Sequence, residues 1–292
     1  MRLTASDIFN LYRPTLCALR VYLREQGVPE AERSVFEEIL ETLGKRHEQS
    51  HLATLGVCED LRVVRPEERR QRTLEAIRNR VPVIYQGEFA CDAQINGTQV
   101  SIVGRPDFLI LDGDGYLIRD SKLSRKVDEK HHVEIALQLQ LYGWLFEQTV
   151  GMPAKRLQVH AGGGDIIEVP YDGGTAVLAE LARIVLMKRL IAEPYEPLGW
   201  TKCSGGCGYY DRCWQQAEAR QDVSLVMDVD QHLARALHEV GVTSAEQLLA
   251  SFDSLRWGGA ISTEHGSPPP DSANGRTPSP IEESDGWLSL LS

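Results

Sequence analysis

The sequence has no apolar run that approaches the roughly 20 residues needed to span a bilayer. The N-terminal stretch carries Arg2 but no continuous apolar segment behind it, so we expect no secretory signal. It also lacks a Gly-x-x-x-x-Gly-Lys-Ser/Thr phosphate-binding loop. We therefore expect a cytoplasmic protein without membrane contact, in which any step driven by nucleoside triphosphates belongs to a partner protein.

Basic residues are scarce, with 31 Lys and Arg against 42 Asp and Glu and a net charge of −11. This balance argues against a surface that binds phosphates throughout, because phosphate contacts need Lys and Arg. However, residues 62–80 hold seven arginines against three glutamates. The stretch is either a nucleic-acid backbone contact or a solvated helix face. The candidate contacts are Arg62, Arg65, Arg69, Arg70, Arg72 and Arg105.

Six cysteines are present, and a reducing compartment favours metal ligands or buried thiols over disulfides. Cys203, Cys207 and Cys213 form a Cys-x₃-Cys-x₅-Cys cluster in Gly-rich sequence, which needs a fourth ligand from elsewhere. We interpret Cys58 and Cys91 as ordinary thiols.

Hydrophobic periodicity predicts an α/β fold, a small mixed β-sheet flanked by helices. Helices are expected at 6–27 (interrupted at Pro14), 32–55, 66–80, 129–149 and 175–192. Consecutive antiparallel strands are expected from 81 to 122, with Asn96-Gly97 as a hairpin turn, followed by short strands near 157–161 and 166–170. Two short helices are expected within 223–252. We predict a main domain at 1–218, a short helical segment at 219–255 and a disordered tail at 256–292.

A second hairpin, turning at Gly113-Asp114, gives paired positions that sum to 227. Asp107 then lies across from Asp120 on one face, and Lys122 shares that face because strand side chains alternate. Opposed carboxylates repel, and the flanking residues are apolar. The alternatives are a salt-bridged surface hairpin or a site for Mg²⁺ or Mn²⁺, which prefer oxygen ligands.

Helix residues 36, 40, 43 and 47 recur at core spacing, which places His47 on an inward stripe. This histidine is either a core residue or a metal ligand, with His51 as the alternative one turn later. Gln138 and Tyr142 are neighbours at i, i+4 on the helix after the hairpin.

Four motifs in this chain resemble those of the PD-(D/E)XK nucleases, and among them the RecB-like group. In order, they are Gly44-x-x-His47, Gly104-x-x-Asp107, Asp120-x-Lys122 and Gln138-x-x-x-Tyr142. The resemblance covers about residues 6–215 and implies a restriction-endonuclease-like core. It implies a metal-dependent nuclease acting on DNA, as an exonuclease on single-stranded ends.

The resemblance also assigns roles to the site residues. It implies that Mg²⁺ or Mn²⁺ is held by His47, Asp107, Asp120 and the carbonyl of Ser121. Lys122 would orient or deprotonate the attacking water. Gln138 and Tyr142 would shape the site and touch the strand.

The cysteines are similar to those of the iron–sulfur subgroup, which includes AddB and a CRISPR-associated exonuclease. In that subgroup Cys17 would join Cys203, Cys207 and Cys213 on a [4Fe–4S] cluster, and structural zinc is the alternative. Residues 240–248 resemble a helix-hairpin-helix module or serve a packing role. Expected partners are DNA ends and a helicase or CRISPR-associated protein. The rival functions are spacer acquisition and a DNA-binding module that does not cleave.

Overall fold

The computed structural model describes residues 1–128 and 131–251. Within these residues the strands are β1 (Arg2–Thr4), β2 (Glu59–Asp60), β3 (Val83–Tyr85), β4 (Phe89–Ile95), β5 (Thr98–Gly104), β6 (Phe108–Asp112), β7 (Gly115–Ser121), β8 (Leu157–His160) and β9 (Ile166–Val169). The α-helices are α1 (Ala5–Tyr12), α2 (Ala18–Glu25), α3 (Val35–Thr54), α4 (Pro66–Arg78), α5 (Val133–Val150), α6 (Thr175–Lys188), α7 (Trp200–Ser204), α8 (Tyr210–Arg220), α9 (Gln231–Glu239) and α10 (Ala245–Ser251). Two 3-10 turns occur at Leu61–Val63 and Val223–Leu225.

The strands form two sheets. One has the order β1-β5-β4 and the other the order β2-β3-β6-β7-β8-β9. In the larger sheet β2 runs parallel to β3 and β7 parallel to β8, while the remaining neighbours are antiparallel. The predicted α/β class, with a mixed sheet flanked by helices, is therefore confirmed.

The expected run of consecutive antiparallel strands is divided between these two sheets, which corrects that prediction. β3 pairs with β6, whereas β4 pairs with β5. Between β3 and β4, Gln86 adopts a left-handed backbone with φ of 57°. The next amide but one, that of Glu88, donates to the hydroxyl of Thr73 at 2.9 Å rather than to a strand. A left-handed residue does not continue a strand, so the chain passes from one sheet to the other here.

Both predicted hairpin turns are confirmed. Asn96 and Gly97 have φ of 48° and 71°, the pair of positive values that a two-residue Asn-Gly turn favours. In the β6–β7 hairpin, Asp112 pairs with Gly115 and Phe108 with Arg119, so paired positions sum to 227. This register brings residue 107 opposite residue 120, although β6 itself begins one residue later.

Helix α5 forms the centre of the core and contacts strands of both sheets as well as α1 and α6. Leu139, Leu141 and Leu145 on this helix are fully buried. Close approach to β5 depends on Gly104, where a Cβ atom would lie 2.6 Å from Leu145 and 2.8 Å from Tyr142. A larger residue at this strand end would force the side chains of Leu145 and Tyr142 to move.

The N-terminal segment has the interruption near Pro14 that was expected for the helix at 6–27, but it begins differently. Strand β1, which no sequence pattern indicated, comes first, and α1 begins after Thr4 rather than at Ser6-Asp7. The amide of Thr4 donates to the Asp7 carboxylate at 2.7 Å, which completes a capping box. The helical path then ends at Tyr12 and resumes as α2.

The apolar stripe predicted on α3 does not face the core. Val35, Phe36 and Leu43 are 72%, 52% and 43% exposed, and His51 is the buried residue of this helix. The helix is well started, since Ser34 and Glu37 form a capping box. It reaches the larger sheet through its C-terminal half, which contacts β7 and, through Glu48, Tyr85 of β3. The predicted helical periodicity was correct, but the face of the helix predicted to be buried was wrong.

Past residue 218, α9 and α10 confirm the two short helices expected within 223–252. They are separated by Gly241, which has a φ of 84° and a backbone that favours glycine. The predicted tail at 256–292 lies outside the described residues. In residues 1–128 and 131–251, no helix is long and apolar enough to cross a membrane.

Candidate active site

The β6–β7 hairpin holds two aspartates face to face. The amide of Asp107 donates to Oδ1 of Asp120 at 3.1 Å, and the amide of Ser121 donates to Oδ2 of Asp107 at 2.8 Å. Each carboxylate thus accepts a backbone hydrogen bond from the opposite strand. The hairpin register alone fixes the separation of the two acids, as the sequence predicted.

This pair carries an electrostatic conflict that a cation would relieve. Burial and the neighbouring Asp120 carboxylate raise the pKa of Asp107 well above its ordinary value. Asp120 is 1% exposed, and its Oδ2 has no well-aligned hydrogen-bond partner among the described residues. Carboxylate oxygens in such a pair suit Mg²⁺ or Mn²⁺. The chemistry of the donors therefore fits a divalent cation.

Lys122 provides a positive charge beside the acids. Its Nζ lies 2.6 Å from Oδ2 of Asp120, at ion-pair distance, and its amide donates to the carbonyl of His160 at 3.0 Å. Burial lowers the pKa of Lys122, but the carboxylates of Asp120 and Asp107 outweigh burial and the net shift is upward. The side chain is therefore held charged and pointed at the carboxylates, on the face that the strand alternation predicted.

His47 approaches the same end of the hairpin from α3. Its Nε2 lies 3.2 Å from the carbonyl oxygen of His160, the residue paired with Ser121 across β7 and β8. The His47 ring stacks on the His160 ring with 4.3 Å between centroids. His47 is partly exposed, so a ligand could reach it.

His51, the alternative candidate, is engaged in packing. Its ring stacks on the other face of His160 at 3.9 Å, and Arg119 lies 3.2 Å from its Nε2. Burial, followed by His160 and Arg119, lowers the pKa of His51 to about 4, so its ring is neutral near pH 7. The structure therefore favours His47 over His51 as the available histidine.

Three residues at the site were missed by sequence reasoning. The side-chain nitrogen Nε2 of Gln86 lies 2.8 Å from Oε1 of Glu48 and 2.8 Å from Oδ1 of Asp107, and so it bridges the two acids. The hydroxyl of Tyr85 donates to the same oxygen of Glu48 at 2.7 Å. Glu48 directly follows His47, so adjacency to a candidate ligand was a usable signal. Gln86 carried no signal, because a left-handed glutamine is not marked in a sequence.

Gln138 and Tyr142 meet as predicted, with Nε2 of Gln138 donating to the Tyr142 hydroxyl at 2.6 Å. Burial, followed by the charges of Asp120 and Asp107, raises the pKa of Tyr142 well above its ordinary value. The phenol therefore stays protonated close to the two carboxylates. It forms a wall between the acids and the surface at Gly104.

No group of three or more His, Cys, Asp or Glu side chains is already arranged around a metal position in residues 1–128 and 131–251. Instead, the oxygens of Asp107 and Asp120 are engaged by backbone amides, Gln86 and Lys122. A cation would compete for these contacts. The assignment of Ser121 as a ligand rests on the resemblance, since the contacts described for it involve its amide and hydroxyl.

The cysteines from the two ends of the domain lie together. Cys17 caps α2, with its Sγ accepting from the amide of Arg20 at 3.3 Å. Like Cys207 and Cys213, it packs against a small buried cluster of Leu19, Leu23 and Tyr209. Burial, followed by the Glu196 carboxylate, raises the pKa of Cys17. Burial and the neighbouring Cys207 raise the pKa of Cys203 and of Cys213 to about 11. Among the described residues, however, these thiols do not form a group of three or more placed to hold a metal ion, so the common ligand set stays a prediction.

Among the arginines proposed to contact DNA, Arg69 requires a correction. It is 7% exposed, and its guanidinium donates to the carbonyls of Leu61 at 2.9 Å and Val64 at 3.2 Å. These contacts hold α4 against the preceding 3-10 turn. Arg69 is therefore a packing residue, unavailable to phosphate.

The remaining candidate arginines are exposed, and most have acidic partners. Arg62 pairs with Asp60 at 2.7 Å, while Arg65 pairs with Glu68. Other pairs are Arg72 with Glu59 at 2.5 Å and Arg105 with Glu88 at 2.8 Å. Arg70 makes no ion pair with the described residues. The stretch is thus largely neutralised by its own acids.

Comparisons with known proteins agree with this geometry. A model of the PD-(D/E)XK nuclease superfamily matches residues 16–214, which contain the four motifs and the cysteine cluster. The solved structure described as "Crystal structure of SSO0001" aligns with a TM-score of 0.33 and 18% identity, over 60% of this chain and 96% of that one. No curated protein matches the chain. Members of the matched family are nucleases that generally use Mg²⁺ or Mn²⁺. By the extent of this match, the chain belongs to the PD-(D/E)XK nuclease superfamily.

Proposed function

We propose that this protein is a metal-dependent deoxyribonuclease of the RecB-like group that degrades DNA from single-stranded ends. The observation that carries the proposal is the buried pair Asp107 and Asp120 with Lys122 on the same face. Phosphodiester hydrolysis needs a cation held by carboxylates and a positive charge near the reacting phosphate. Because the sequence has no phosphate-binding loop, a helicase partner would supply unwound ends.

The proposed ligands of Mg²⁺ or Mn²⁺ are His47, Asp107, Asp120 and the carbonyl of Ser121. When bound, the cation would act as the Lewis acid that activates water and offsets charge on the phosphate oxygens. Asp107 and Asp120 lose their mutual repulsion in that state. Gln86 and Glu48 would keep Asp107 oriented from behind, since one amide group bridges both acids.

Lys122 and Tyr142 would act on the substrate side. Lys122 is held protonated by the two aspartates, so we assign it to hold negative charge on the phosphate and to orient the attacking water. The hydroxyl of Tyr142 keeps its proton and accepts a hydrogen bond from Gln138. This contact would hold both side chains ready to touch the DNA strand. Arg105, two residues before Asp107 and 43% exposed, is the basic residue placed to contact a phosphate next to the site.

We further propose that Cys17, Cys203, Cys207 and Cys213 hold a [4Fe–4S] cluster, with structural zinc as the competing occupant. Support comes from the shared neighbourhood of these thiols, contributed by both ends of the domain at 1–218. Such a group would clip the two ends together. Iron and zinc content of protein purified without oxygen tests this assignment, and stoichiometric zinc without iron would exclude the cluster.

The nuclease proposal is tested with end-labelled single-stranded and duplex DNA in the presence of Mn²⁺, Mg²⁺ or EDTA. We expect cleavage of single strands from their ends with either cation, none with EDTA, and loss of cleavage in Asp107→Asn. If the wild-type protein binds DNA but never cleaves it with Mn²⁺, the enzyme proposal is wrong and the protein is a DNA-binding module.

A further inference from the structure

A cleft of about 430 Å³ opens next to Arg105, Gln138 and Tyr142, and the rest of its lining has no role in the proposed reaction. It lies between β1, the start of α1, the end of β5 and α5, and its lining includes Arg2, Phe9, Arg105, Gln138 and Tyr142. Arg105 joins the cleft to the acids, because it stands two residues before Asp107 in the chain. A molecule in the cleft would therefore border the candidate metal site.

The cleft differs in charge from the rest of this acidic protein. Among the described residues, its lining contains two arginines and no acid. Arg2 is exposed and makes no ion pair or side-chain hydrogen bond with the described residues, so its five N–H donors are free. Arg105 pairs with Glu88 through Nη2, and the donors on its other two guanidinium nitrogens remain available. The two basic residues stand at opposite ends of the cleft, since Arg2 begins β1 and Arg105 follows β5, its parallel neighbour.

Phe9 supplies an apolar surface in the cleft that these charges line. Its ring is 51% exposed, although it stands on a helix whose neighbouring residues Ile8 and Asn10 are buried. An exposed aromatic ring between cationic side chains is the arrangement by which proteins bind unpaired nucleotides, with a base stacked on the ring and phosphates near the cations. A duplex offers no base face to such a ring.

A second, larger cleft of about 630 Å³ shares Phe9 but has the opposite character. Its arginines are paired with acids, Arg24 with Glu30 at 2.7 Å and Arg33 with Glu41. Those carboxylates would repel a phosphate. The smaller cleft is therefore the better nucleotide site.

We infer that the cleft of about 430 Å³ receives an unpaired nucleotide of a DNA strand, with its base against Phe9 and its flanking phosphates near Arg105 and Arg2. This inference rests on the proposed function and adds to it the contact that selects single strands. The strand would leave the carboxylates past Tyr142 and run along β1.

The test is strand binding by wild-type protein and Phe9→Ala, measured by fluorescence anisotropy with a labelled oligothymidylate. Ca²⁺ replaces Mg²⁺ in the assay, because it binds oxygen ligands with looser geometry. Phe36→Ala is the matched control, since Phe36 is 52% exposed on another helix. We expect Phe9→Ala to weaken binding about tenfold, as for loss of one stacked base, Phe9→Trp to restore it, and Phe36→Ala to match wild type. Equal binding by wild type and Phe9→Ala, or an equal loss in Phe36→Ala, would overturn the inference.

Arg2 is tested through the salt dependence of the same binding. Arg2→Ala should lower the slope of log affinity against log salt concentration by about 0.7, the value for one phosphate contact on a single strand. An unchanged slope would remove Arg2 from the site. Both readouts are independent of cleavage. If the wild-type protein fails to cleave DNA but the variants show these losses of binding, the nucleotide site in the cleft stands and only the proposed nuclease function is wrong.

Discussion

The carboxylate hairpin and the cysteine region contain candidate ligand sets that are assembled in different ways. In the hairpin, Asp107 and Asp120 are 13 residues apart and meet through backbone hydrogen bonds between two strands. In the cysteine region, Cys17 and Cys207 come from opposite ends of the domain and share one neighbourhood only because Tyr209 packs with Leu19 and Leu23 of α2. From this difference we expect substitutions in the hairpin to lower the cleavage rate and leave stability unchanged. We expect substitutions in the cysteine region to lower stability instead.

The largest expected effect is on the hairpin. Asp120→Asn should lower the cleavage rate about a thousandfold, because it removes half of the charge that holds a cation and leaves the packing unchanged. The melting temperature should change little, since relief of the repulsion from Asp107 offsets loss of the ion pair with Lys122. Asp114→Asn is the control, an exposed acid at the tip of the same hairpin. Substantial cleavage by Asp120→Asn would contradict the assignment.

The cysteine region should respond in stability. Cys207→Ser should lower the free energy of unfolding by about 3 kcal/mol in urea titrations of protein purified without oxygen, because the two ends lose their common ligand group. Cys58→Ser, another partly buried thiol, should behave as wild type. If both variants are equally stable and neither carries metal, the cysteine region is held together by ordinary packing and contains no ligand set.

A third prediction separates packing from DNA contact on α4. Arg69→Ala should lower the free energy of unfolding by about 2 kcal/mol, because its charged donors satisfy two backbone carbonyls. Arg70→Ala, one residue on and exposed, should change stability by less than about 0.5 kcal/mol. Thermal melting measures both. A stable Arg69→Ala variant with weakened DNA binding would restore Arg69 as a nucleic-acid contact.

The smallest effect is expected at Gln86. Gln86→Asn keeps a residue that tolerates the left-handed backbone but is too short to bridge Glu48 and Asp107. Cleavage should fall about tenfold and Mn²⁺ affinity should weaken, as for other residues that orient metal ligands. Gln99→Asn, on the exposed face of β5, is the control. Calorimetric titration with Mn²⁺ checks the affinity, and unchanged binding would make Gln86 a structural residue only.

Strand pairing in the hairpin was predictable because it depends on local rules. Side chains alternate along a strand and the turn fixes the register, so the alignment of Asp107 with Asp120 followed from the positions of Gly113 and Gly115. The Asn96-Gly97 turn was predictable for the same reason. What the pattern could not supply was the contact that orients Asp107, since Gln86 reaches it from the connection between β3 and β4.

Helix faces were less predictable. The spacing of Phe36 and Leu43 is that of a core stripe, yet both are exposed. A helical period shows which residues share a face, but which face is covered depends on where the helix crosses its neighbours. The same applies to Arg69, which looked like its exposed neighbour Arg70 in a run of charges. In both cases the deciding contacts come from outside the local sequence.

The carbonyl of His160 accepts two hydrogen bonds, from the amide of Lys122 at 3.0 Å and from Nε2 of His47 at 3.2 Å. A carbonyl has no proton to give, so the ring proton of His47 must sit on Nε2. The tautomer is thereby chosen before any cation arrives, and the lone pair of Nδ1 is the one left for ligation. Because the acceptor belongs to the main chain, no side-chain substitution at position 160 deletes it. The backbone that aligns Lys122 thus also selects the tautomer of the histidine.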